Sequence, residues 1–184
     1  ELRERRRVMS AAAVEAAGEQ LSAHLDDLLA RHEVSAISCF LSTPFEPSTR
    51  AFVEGAVARG IRVLLPITRT DGLLDWTVAT EDGDIAEGLF GLPEPVGELL
   101  GPIAVNDVDL MIVPAAAVDR TGMRLGWGRG YFDKTIGSME GCPPVYAVVY
   151  DSEILDEVPS ELHDQPVTGA VTPTRIHEFA PAAR

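Results

Sequence analysis

The sequence predicts an α/β fold: a single domain, residues 1–184, with a mainly parallel, doubly wound sheet flanked by helices. Short apolar runs typical of buried strands alternate along the chain with segments of helical periodicity. The length of 184 residues is that of one compact domain. A content of 46% hydrophobic and 24% charged residues is typical of globular proteins. Together these observations predict one core built around the sheet.

The first segment, residues 2–31, predicts a long amphipathic helix with a break near Ser10. It lacks proline and is rich in Ala, Glu, Leu and Arg. Apolar side chains recur in it at helical spacing, at Val14, Ala17, Leu21, Leu25, Leu28 and Leu29.

A strand, a helix and a second strand are expected to follow. The apolar run 35–41 stops at a Ser-Thr-Pro sequence, which predicts a buried strand that ends in a loop. Residues 48–59 predict a helix that ends at Gly60. The run 62–65, before Pro66, predicts the second strand, joined to the first by a right-handed parallel crossover.

The rest of the chain continues the alternation, and residues 109–113 carry the strongest buried-strand signal. The other predicted elements are a strand at 73–79, a loop at 81–97, a helix at 130–138, a strand at 144–149 and a last strand at 170–172.

The net charge of −14 and a pI near 4.6 argue against nucleic acid and anionic membranes as partners. Four arginines, Arg3, Arg5, Arg6 and Arg7, crowd the start of the chain. Taken alone, such a cluster is more typical of the solvated face of a helix than of a ligand site.

Cellular location is also indicated by composition. No run of eighteen apolar residues and no secretory signal pattern is present, so a cytoplasmic protein is expected. Cys39 and Cys142 have no CxxC spacing, which indicates a reducing compartment, and Cys39 fits a small core residue. Because the chain begins with Glu1 rather than Met, we expect a few natural residues to precede it.

The segment with the clearest chemistry is residues 124–133, RLGWGRGYFD, called here the glycine segment. Its three alternating glycines let the backbone approach an anion, and the helix that follows offers free N–H groups. Arg124 and Arg129 flank the glycines and can form charge-assisted bonds to phosphate. Asp133 fits two roles, complementing the helix dipole or holding Mg²⁺.

The glycine segment matches neither of the two standard nucleotide fingerprints. Its third glycine is one position early for GxGxxG, and Lys134-Thr135 follows Asp133 instead of the glycine that a Walker loop requires. A GxGxG pattern alone fits a structural tight turn as well as a phosphate site.

With its approach VPAAAVDRTGM, the glycine segment resembles the signature of the 5-formyltetrahydrofolate cyclo-ligase family. Further similarities occur in order along the chain, at Phe40-Leu41-Ser42 with Glu46 and Thr49, at 90–95 (FGLPEP), and at 161–164 (ELHD). The resemblance therefore extends over nearly the whole sequence. It implies an ATP- and Mg²⁺-dependent enzyme that converts 5-formyltetrahydrofolate to 5,10-methenyltetrahydrofolate and releases ADP and phosphate.

The implied chemistry activates a formamide oxygen, which is a poor leaving group. Transfer of the γ-phosphoryl group to it would form an iminophosphate that N10 attacks. Such a transfer requires positioning and charge neutralisation more than an acid–base pair.

The resemblance also implies roles for individual residues, with catalysis by Arg124, Arg129 and Tyr131. Mg²⁺ would bind to Asp133 and Asp164. The residues implied to contact ATP are Arg3, Arg124, Leu125, Gly126, Trp127, Gly128, Arg129, Gly130, Tyr131 and Phe132. The residues implied to contact folate are Glu46, Phe90, Trp127, Gly128, Arg129, Gly130 and Tyr131.

Structural alternatives exist for three of these residues. Glu46 could also be a carboxylate that complements the N-terminus of the next helix. Phe90 could be a core side chain, and Asp164 could be an exposed acid in a loop.

The sequence departs from the family pattern at Thr168, where an acid is common, and the family lysine that contacts ATP would precede Glu1. We expect a monomer. A nucleotide sensor without turnover and an isomerase or transferase of phosphorylated metabolites are the alternative functions.

Overall fold

A seven-stranded sheet forms the centre of the computed structural model, which describes residues 1–162 and 164–179. Its helices are α1 (Leu2–Arg7), α2 (Ala11–His32), α3 (Arg50–Ala58) and α4 (Tyr131–Ser138). Its strands are β1 (Ala36–Ser38), β2 (Arg62–Thr68), β3 (Leu74–Val78), β4 (Ile85–Glu87), β5 (Pro93–Pro95), β6 (Leu110–Pro114), β7 (Ala117–Asp119), β8 (Arg124–Leu125), β9 (Val145–Val148), β10 (Ile154–Leu155), β11 (Gly169–Val171) and β12 (Ile176–Glu178). Short 3₁₀ turns lie at Leu89–Gly91, Pro102–Asp107 and Asp151–Glu153.

The central sheet has the strand order β12-β11-β9-β6-β1-β2-β3. The five inner strands are parallel, whereas β3 and β12 pair antiparallel at the two edges. The chain builds the sheet outward in one direction from β1 to β2 and in the other from β6 to β11, so the switch point lies between β1 and β6. The predicted α/β class with a mainly parallel sheet is confirmed.

Side chains alternate between the two faces of the sheet, as the pleat of a strand requires. In β6, Leu110 and Ile112 join the core on one side, with α2 and α3, while Met111 and Val113 join the core on the other side, with α4. Cys39 is fully buried in the first of these cores, as predicted. The near-continuous apolar run of β6 therefore reflects burial on both faces.

The N-terminal helix divides where the sequence predicted a break. The Ser10 hydroxyl accepts a hydrogen bond from the Ala13 N–H at 3.1 Å and caps α2. Beyond α3, Gly60 takes a φ of +83°, the left-handed conformation in which helices commonly terminate. None of the described helices is long and apolar enough to cross a membrane.

Two predictions about the strands next to the site were wrong. The second strand does not stop before Pro66 but continues to Thr68, because Trp76, opposite Pro66, exchanges its backbone hydrogen bonds with Leu100 instead. Proline is tolerated there because no ladder bond is lost. The predicted loop at 81–97 contains the antiparallel hairpin of β4 and β5.

Several strands were not predicted at all. Strands β7, β8 and β10 form a small second sheet, and β12 is an edge strand of the central sheet. Each is two or three residues long, too short for a periodic pattern. The predicted helix at 130–138 and the strands at 73–79, 109–113, 144–149 and 170–172 are confirmed, with differences of one or two residues at their ends.

Candidate active site

A cleft of about 820 Å³ lies at the carboxyl edge of the central sheet. Its floor includes Phe40 after β1, Thr68 at the end of β2 and Pro114 at the end of β6. In open α/β sheets, ligands bind beyond the carboxyl ends of the strands at the point where strand order reverses. The cleft occupies that position.

The glycine segment forms one wall of the cleft and leads from β8 into α4. Gly128 and Gly130 have φ values of +93° and +72°, which a side chain would strain. No side chain caps the start of α4, where Gly130 is the N-cap. The first N–H groups of this helix are consequently oriented donors for an anion.

Arg124 is buried at the base of the glycine segment. Its Nη1 donates a hydrogen bond to the Pro114 carbonyl at 2.7 Å, and its Nη2 lies 3.6 Å from Asp133 Oδ2. Burial lowers the pKa of this guanidinium, while the charges of Asp133 and Asp164 act in the opposite direction. Its Nε is buried without a hydrogen-bond partner among the described residues, which leaves a donor for a ligand.

The aromatic and basic side chains of the glycine segment have different surroundings. Trp127 is 36% exposed, and the guanidinium carbon of Arg3 lies 5.0 Å from its ring centroid. The Arg129 guanidinium carbon lies 3.4 Å from the ring centroid of Phe90. Tyr131 also lines the cleft, and its hydroxyl donates a hydrogen bond to the Arg69 carbonyl at 2.9 Å.

Two carboxylates, Asp133 and Asp164, lie in the cleft beside Arg124. Asp133 Oδ1 is buried and lacks a hydrogen-bond partner in the described part of the chain. Asp164 Oδ2 accepts the Glu161 N–H at 2.7 Å. No group of three or more potential protein ligands for a metal occurs among residues 1–162 and 164–179. One or two carboxylates nevertheless fit Mg²⁺, which takes its remaining ligands from water and phosphate.

Glu46 lies in the loop after β1, on the wall of the cleft. Its Oε1 accepts a hydrogen bond from the Thr43 N–H at 2.9 Å, which stabilises the loop that precedes α3. Burial raises the pKa of the Glu46 carboxyl, although hydrogen bonds from Thr43 and the charge of Arg6 act in the opposite direction. The Glu46 carboxyl group therefore lies at the cleft wall with hydrogen bonds from Thr43.

The cleft collects almost all residues that the sequence singled out. Its walls contain Arg3, Glu46, Asp164 and the whole of residues 124–133. Phe90 does not line it. Phe90 is 55% exposed at the turn between β4 and β5, so the alternative of a core side chain is wrong.

The interpretation of the N-terminal arginines as a solvated helix face fails for Arg6, which is only 4% exposed. Its guanidinium forms a buried salt bridge with Glu153, at 2.7 Å between Nε and Oε2. The partner is 147 positions away, and no local pattern could indicate it.

Other side chains in the cleft were missed. Glu94 Oε2 accepts the Thr68 N–H at 2.6 Å and the Thr68 hydroxyl at 2.9 Å, which fastens the β4–β5 hairpin to the end of β2. Arg7 and Phe45 form the rim. Glu94 lies in the segment 90–95 that carried the resemblance, and that is the one sequence signal that pointed to it.

The fold and the cleft define a doubly wound α/β protein whose ligand site, with an anion-binding loop, lies at the switch point of its sheet. A family model described as the 5-formyltetrahydrofolate cyclo-ligase family matches residues 1–173. The chain belongs to this family, whose members are ATP-dependent ligases.

Individual relatives agree with the family match. The 5-formyltetrahydrofolate cyclo-ligase of Mycolicibacterium smegmatis is 37% identical over 144 residues, covering 76% of this chain and 74% of that protein. The one from Escherichia coli (strain K12) is 25% identical over 183 residues, covering 97% and 100%. The NMR structure of Aquifex aeolicus 5,10-methenyltetrahydrofolate synthetase has the same fold, with a TM-score of 0.80 at 22% identity, covering 100% of this chain and 91% of that one.

Proposed function

We propose that this chain catalyses the ATP- and Mg²⁺-dependent cyclisation of 5-formyltetrahydrofolate to 5,10-methenyltetrahydrofolate, through a phosphorylated formyl (iminophosphate) intermediate. The observation that supports this most is that one cleft joins the glycine segment, two acidic side chains and Glu46. The first part suits a polyphosphate, the second a metal ion, and the third a hydrogen-bonding heterocycle.

In this reaction the formyl oxygen attacks the γ-phosphorus of ATP, and the bond from that phosphorus to the bridging oxygen of ADP breaks. N10 then attacks the formyl carbon and loses its proton, and the carbon–oxygen bond breaks to release phosphate. Both steps build or move negative charge on phosphate oxygens, so positioned cations lower the barriers.

The basic residues of the cleft supply this stabilisation in our proposal. The N–H groups at the start of α4 and the free Nε of Arg124 would hold phosphate oxygens. Because Pro114 fixes the Arg124 guanidinium, little reorganisation is needed during transfer. Arg129 and Arg3 are more exposed and would close on the nucleotide from the rim.

The remaining residues would position the folate and the metal ion. Trp127 and Tyr131 would offer ring faces to the pterin, and the Glu46 carboxylate would accept hydrogen bonds from its amide and amino groups. Asp133 and Asp164 would hold Mg²⁺, which when bound neutralises charge on the phosphates. The monomeric state and the cytoplasmic location stay predictions.

The test is to incubate the purified chain with 5-formyltetrahydrofolate, ATP and Mg²⁺ and to follow both methenyltetrahydrofolate absorbance and ADP. We expect the two products in equal amounts, and none of either when EDTA is present. ATP binding without product from a folded sample would contradict the proposal and favour the nucleotide sensor instead.

A further inference from the structure

The turn between β7 and β8 carries a buried carboxylate that none of the roles assigned above uses. Asp119 is only 3% exposed. Its Oδ1 accepts hydrogen bonds from the Thr121 N–H at 2.9 Å, the Thr121 hydroxyl at 2.6 Å and the Met123 N–H at 3.1 Å. One oxygen of the carboxylate therefore closes the turn within residues 119–123.

The other oxygen connects the turn to a segment that lines the active-site cleft. Asp119 Oδ2 accepts the N–H of the buried Val158 at 3.2 Å. Residues 159–161 and Asp164, which follow Val158 in the chain, line the cleft. Burial acts to raise the pKa of the Asp119 carboxyl, but the hydrogen bonds that it accepts lower the pKa below its usual value, so Val158 has an ionised acceptor.

The same turn also holds the chain after Asp164. The Gly122 carbonyl accepts the Val167 N–H at 2.7 Å. Gly122 has a φ of +91°, and a Cβ atom there would lie 2.5 Å from the Val167 carbonyl oxygen, so this close approach requires glycine. The turn is therefore attached to the backbone on both sides of Asp164.

The turn leads directly into the other half of the proposed metal site. Strand β8 begins at Arg124, and Arg124 Nη2 lies 3.6 Å from Asp133 Oδ2. The charge of Asp164 acts on the same guanidinium. Two carboxylates that share a metal ion need a fixed separation, and Asp133 and Asp164 come from different segments of the chain. The turn is a rigid connection between these two segments.

We infer that Asp119 is a positioning residue, which holds Asp164 at the metal site through the backbone of Val158. The inference rests on the metal site of the proposed function, because it requires Asp164 to bind Mg²⁺. Loss of an outer-shell residue typically lowers metal affinity or activity by about 10–100-fold. Asp119 acts on the backbone and not on the Asp164 carboxylate itself, so we expect an effect at the lower end of that range.

The variant D119N tests this connection with little change in shape. Its amide oxygen can still accept the three hydrogen bonds of the turn, but its NH₂ group then faces the Val158 N–H, and two donors cannot bond. At saturating ATP, the free Mg²⁺ concentration for half-maximal turnover should rise about tenfold. Because excess metal restores occupancy, kcat at saturating Mg²⁺ should stay close to wild type. The Kd of Mn²⁺ for the ADP complex, measured by electron paramagnetic resonance, should rise equally without turnover.

The matched control is T121V. It removes a hydroxyl that donates to the same carboxylate but leaves the bond between Asp119 Oδ2 and Val158 in place. It should melt at a lower temperature than wild type, yet bind Mn²⁺ as wild type does. Equal weakening of Mn²⁺ binding in T121V and D119N would overturn the inference, because it would indicate only a less stable turn.

A double-mutant cycle with D164N separates the positioning of Asp164 from other effects. If Asp119 acts through Asp164, D119N should not weaken Mn²⁺ binding further in the D164N background. Additive losses in the double variant would overturn the inference. Mn²⁺ binding by D164N alone at the wild-type level would overturn it too, since Asp164 would then not bind the metal.

A measurement on the wild-type chain decides the matter if D119N does not fold. Coupling is reciprocal, so Mg²⁺ binding must stabilise the Val158 hydrogen bond if that bond supports the metal site. Hydrogen exchange of the Val158 amide should slow when Mg²⁺ is added to the ADP complex. The Ser35 amide, which donates to Asp109 at 2.9 Å before the start of β1, should be unaffected. Unchanged exchange at Val158 would overturn the inference.

Failure of the inference differs from failure of the proposed function. Turnover by the wild-type chain, with Mn²⁺ binding that D119N leaves unchanged, would overturn the positioning role and leave the cyclo-ligase activity standing. Absence of turnover by the folded wild-type chain would overturn the proposed function. Mn²⁺ binding to the ADP complexes would then still decide the role of Asp119.

Discussion

The guanidinium of Arg6 binds the carboxylate of Glu153 through two hydrogen bonds, Nε to Oε2 at 2.7 Å and Nη2 to Oε1 at 2.8 Å, with both side chains almost fully buried. Nη2 also donates to the Ala115 carbonyl at 2.8 Å. This salt bridge attaches the six-residue helix α1, which brings Arg3 to the cleft, to the segment that follows β9. The N-terminal part of the site therefore depends on a buried ion pair.

We predict that R6M is much less stable than the double variant R6M/E153Q. The single substitution leaves the Glu153 carboxylate buried without its cation, which typically costs about 3–5 kcal/mol. In the double variant the charge is gone, and the Gln oxygen still accepts the Tyr150 N–H that Glu153 binds at 2.7 Å. Urea unfolding of wild type and both variants measures the difference. Equal stability of R6M and the double variant would contradict the prediction.

Mg²⁺-dependent turnover should depend on Asp133. We expect D133N to lower turnover by at least about 100-fold. Mutation of even an outer-shell residue at a metal site typically lowers metal affinity or activity by about 10–100-fold. The amide is nearly isosteric and Asp133 lies at the cleft, so far-ultraviolet circular dichroism should be unchanged. D156N is the control, because Asp156 is a 95%-exposed partner of Arg120 away from the cleft. Unaltered activity of D133N across a Mg²⁺ titration would remove Asp133 from the metal site.

These residues show what a sequence can and cannot reveal. The glycine segment was predictable, because the positive φ angles, the helix start and Asp133 all arise within ten consecutive residues. The burial of Arg6 was not, since an arginine among arginines has the local pattern of an exposed helix face. Glu94 likewise acquires its function only when the hairpin folds back onto Thr68.

Secondary structure was likewise predictable only where the signal lies in a continuous stretch of sequence. The long helix α2 was predictable because its apolar side chains repeat at helical spacing, and five of the six, all except Val14, are buried. Strand β8, which positions Arg124, consists of two residues that pair with β7 across a short turn. Short strands of this kind have no pattern of their own.

Replacement of Glu46 by Gln should weaken folate binding and raise the stability of the fold. Burial raises the pKa of the Glu46 carboxyl, so the folded protein binds the proton more tightly than the unfolded chain. Ionisation therefore destabilises the fold as pH rises from the ordinary value of 4.5 through the raised pKa. At pH 7, E46Q should melt at a higher temperature than wild type, with a difference that shrinks as pH falls through this window.

The same variant should bind 5-formyltetrahydrofolate about tenfold more weakly, because a charged acceptor is lost. Its amide oxygen can still accept the Thr43 N–H, so the loop is expected to keep its conformation. The two measurements are melting curves from about pH 4, just below the ordinary pKa of Glu, to about pH 8, and the KM for 5-formyltetrahydrofolate. A lower melting temperature at pH 7 would show that the carboxylate stabilises the fold.

A pair of glycine substitutions tests backbone strain in the glycine segment. Gly130 has a φ of +72° and open space at its Cβ position, so G130A should lose about 1–2 kcal/mol of stability through strain alone. Gly55 also has open space but lies within α3, so G55A should gain up to about 1 kcal/mol from helix propensity. Only G130A should weaken ATP binding. Equal effects of the two on stability would exclude strain at Gly130.

The contact between Phe90 and Arg129 connects the β4–β5 hairpin to the glycine segment, and we predict that the two side chains act together on turnover. With the guanidinium carbon 3.4 Å from the ring centroid, the ring limits where Arg129 can move. At such an exposed site the cation–π interaction is worth about 0.5–1 kcal/mol. F90A should therefore lower kcat/KM by about twofold to fivefold if the ring acts through Arg129.

A double-mutant cycle distinguishes this role from direct contact of Phe90 with folate. If Phe90 acts by positioning Arg129, then F90A should have no further effect in an R129A background, and the coupling energy should equal the effect of F90A alone. If Phe90 contacts the folate, the two losses should add. F90L is a useful third variant, because it keeps apolar volume but lacks the ring face that attracts the guanidinium.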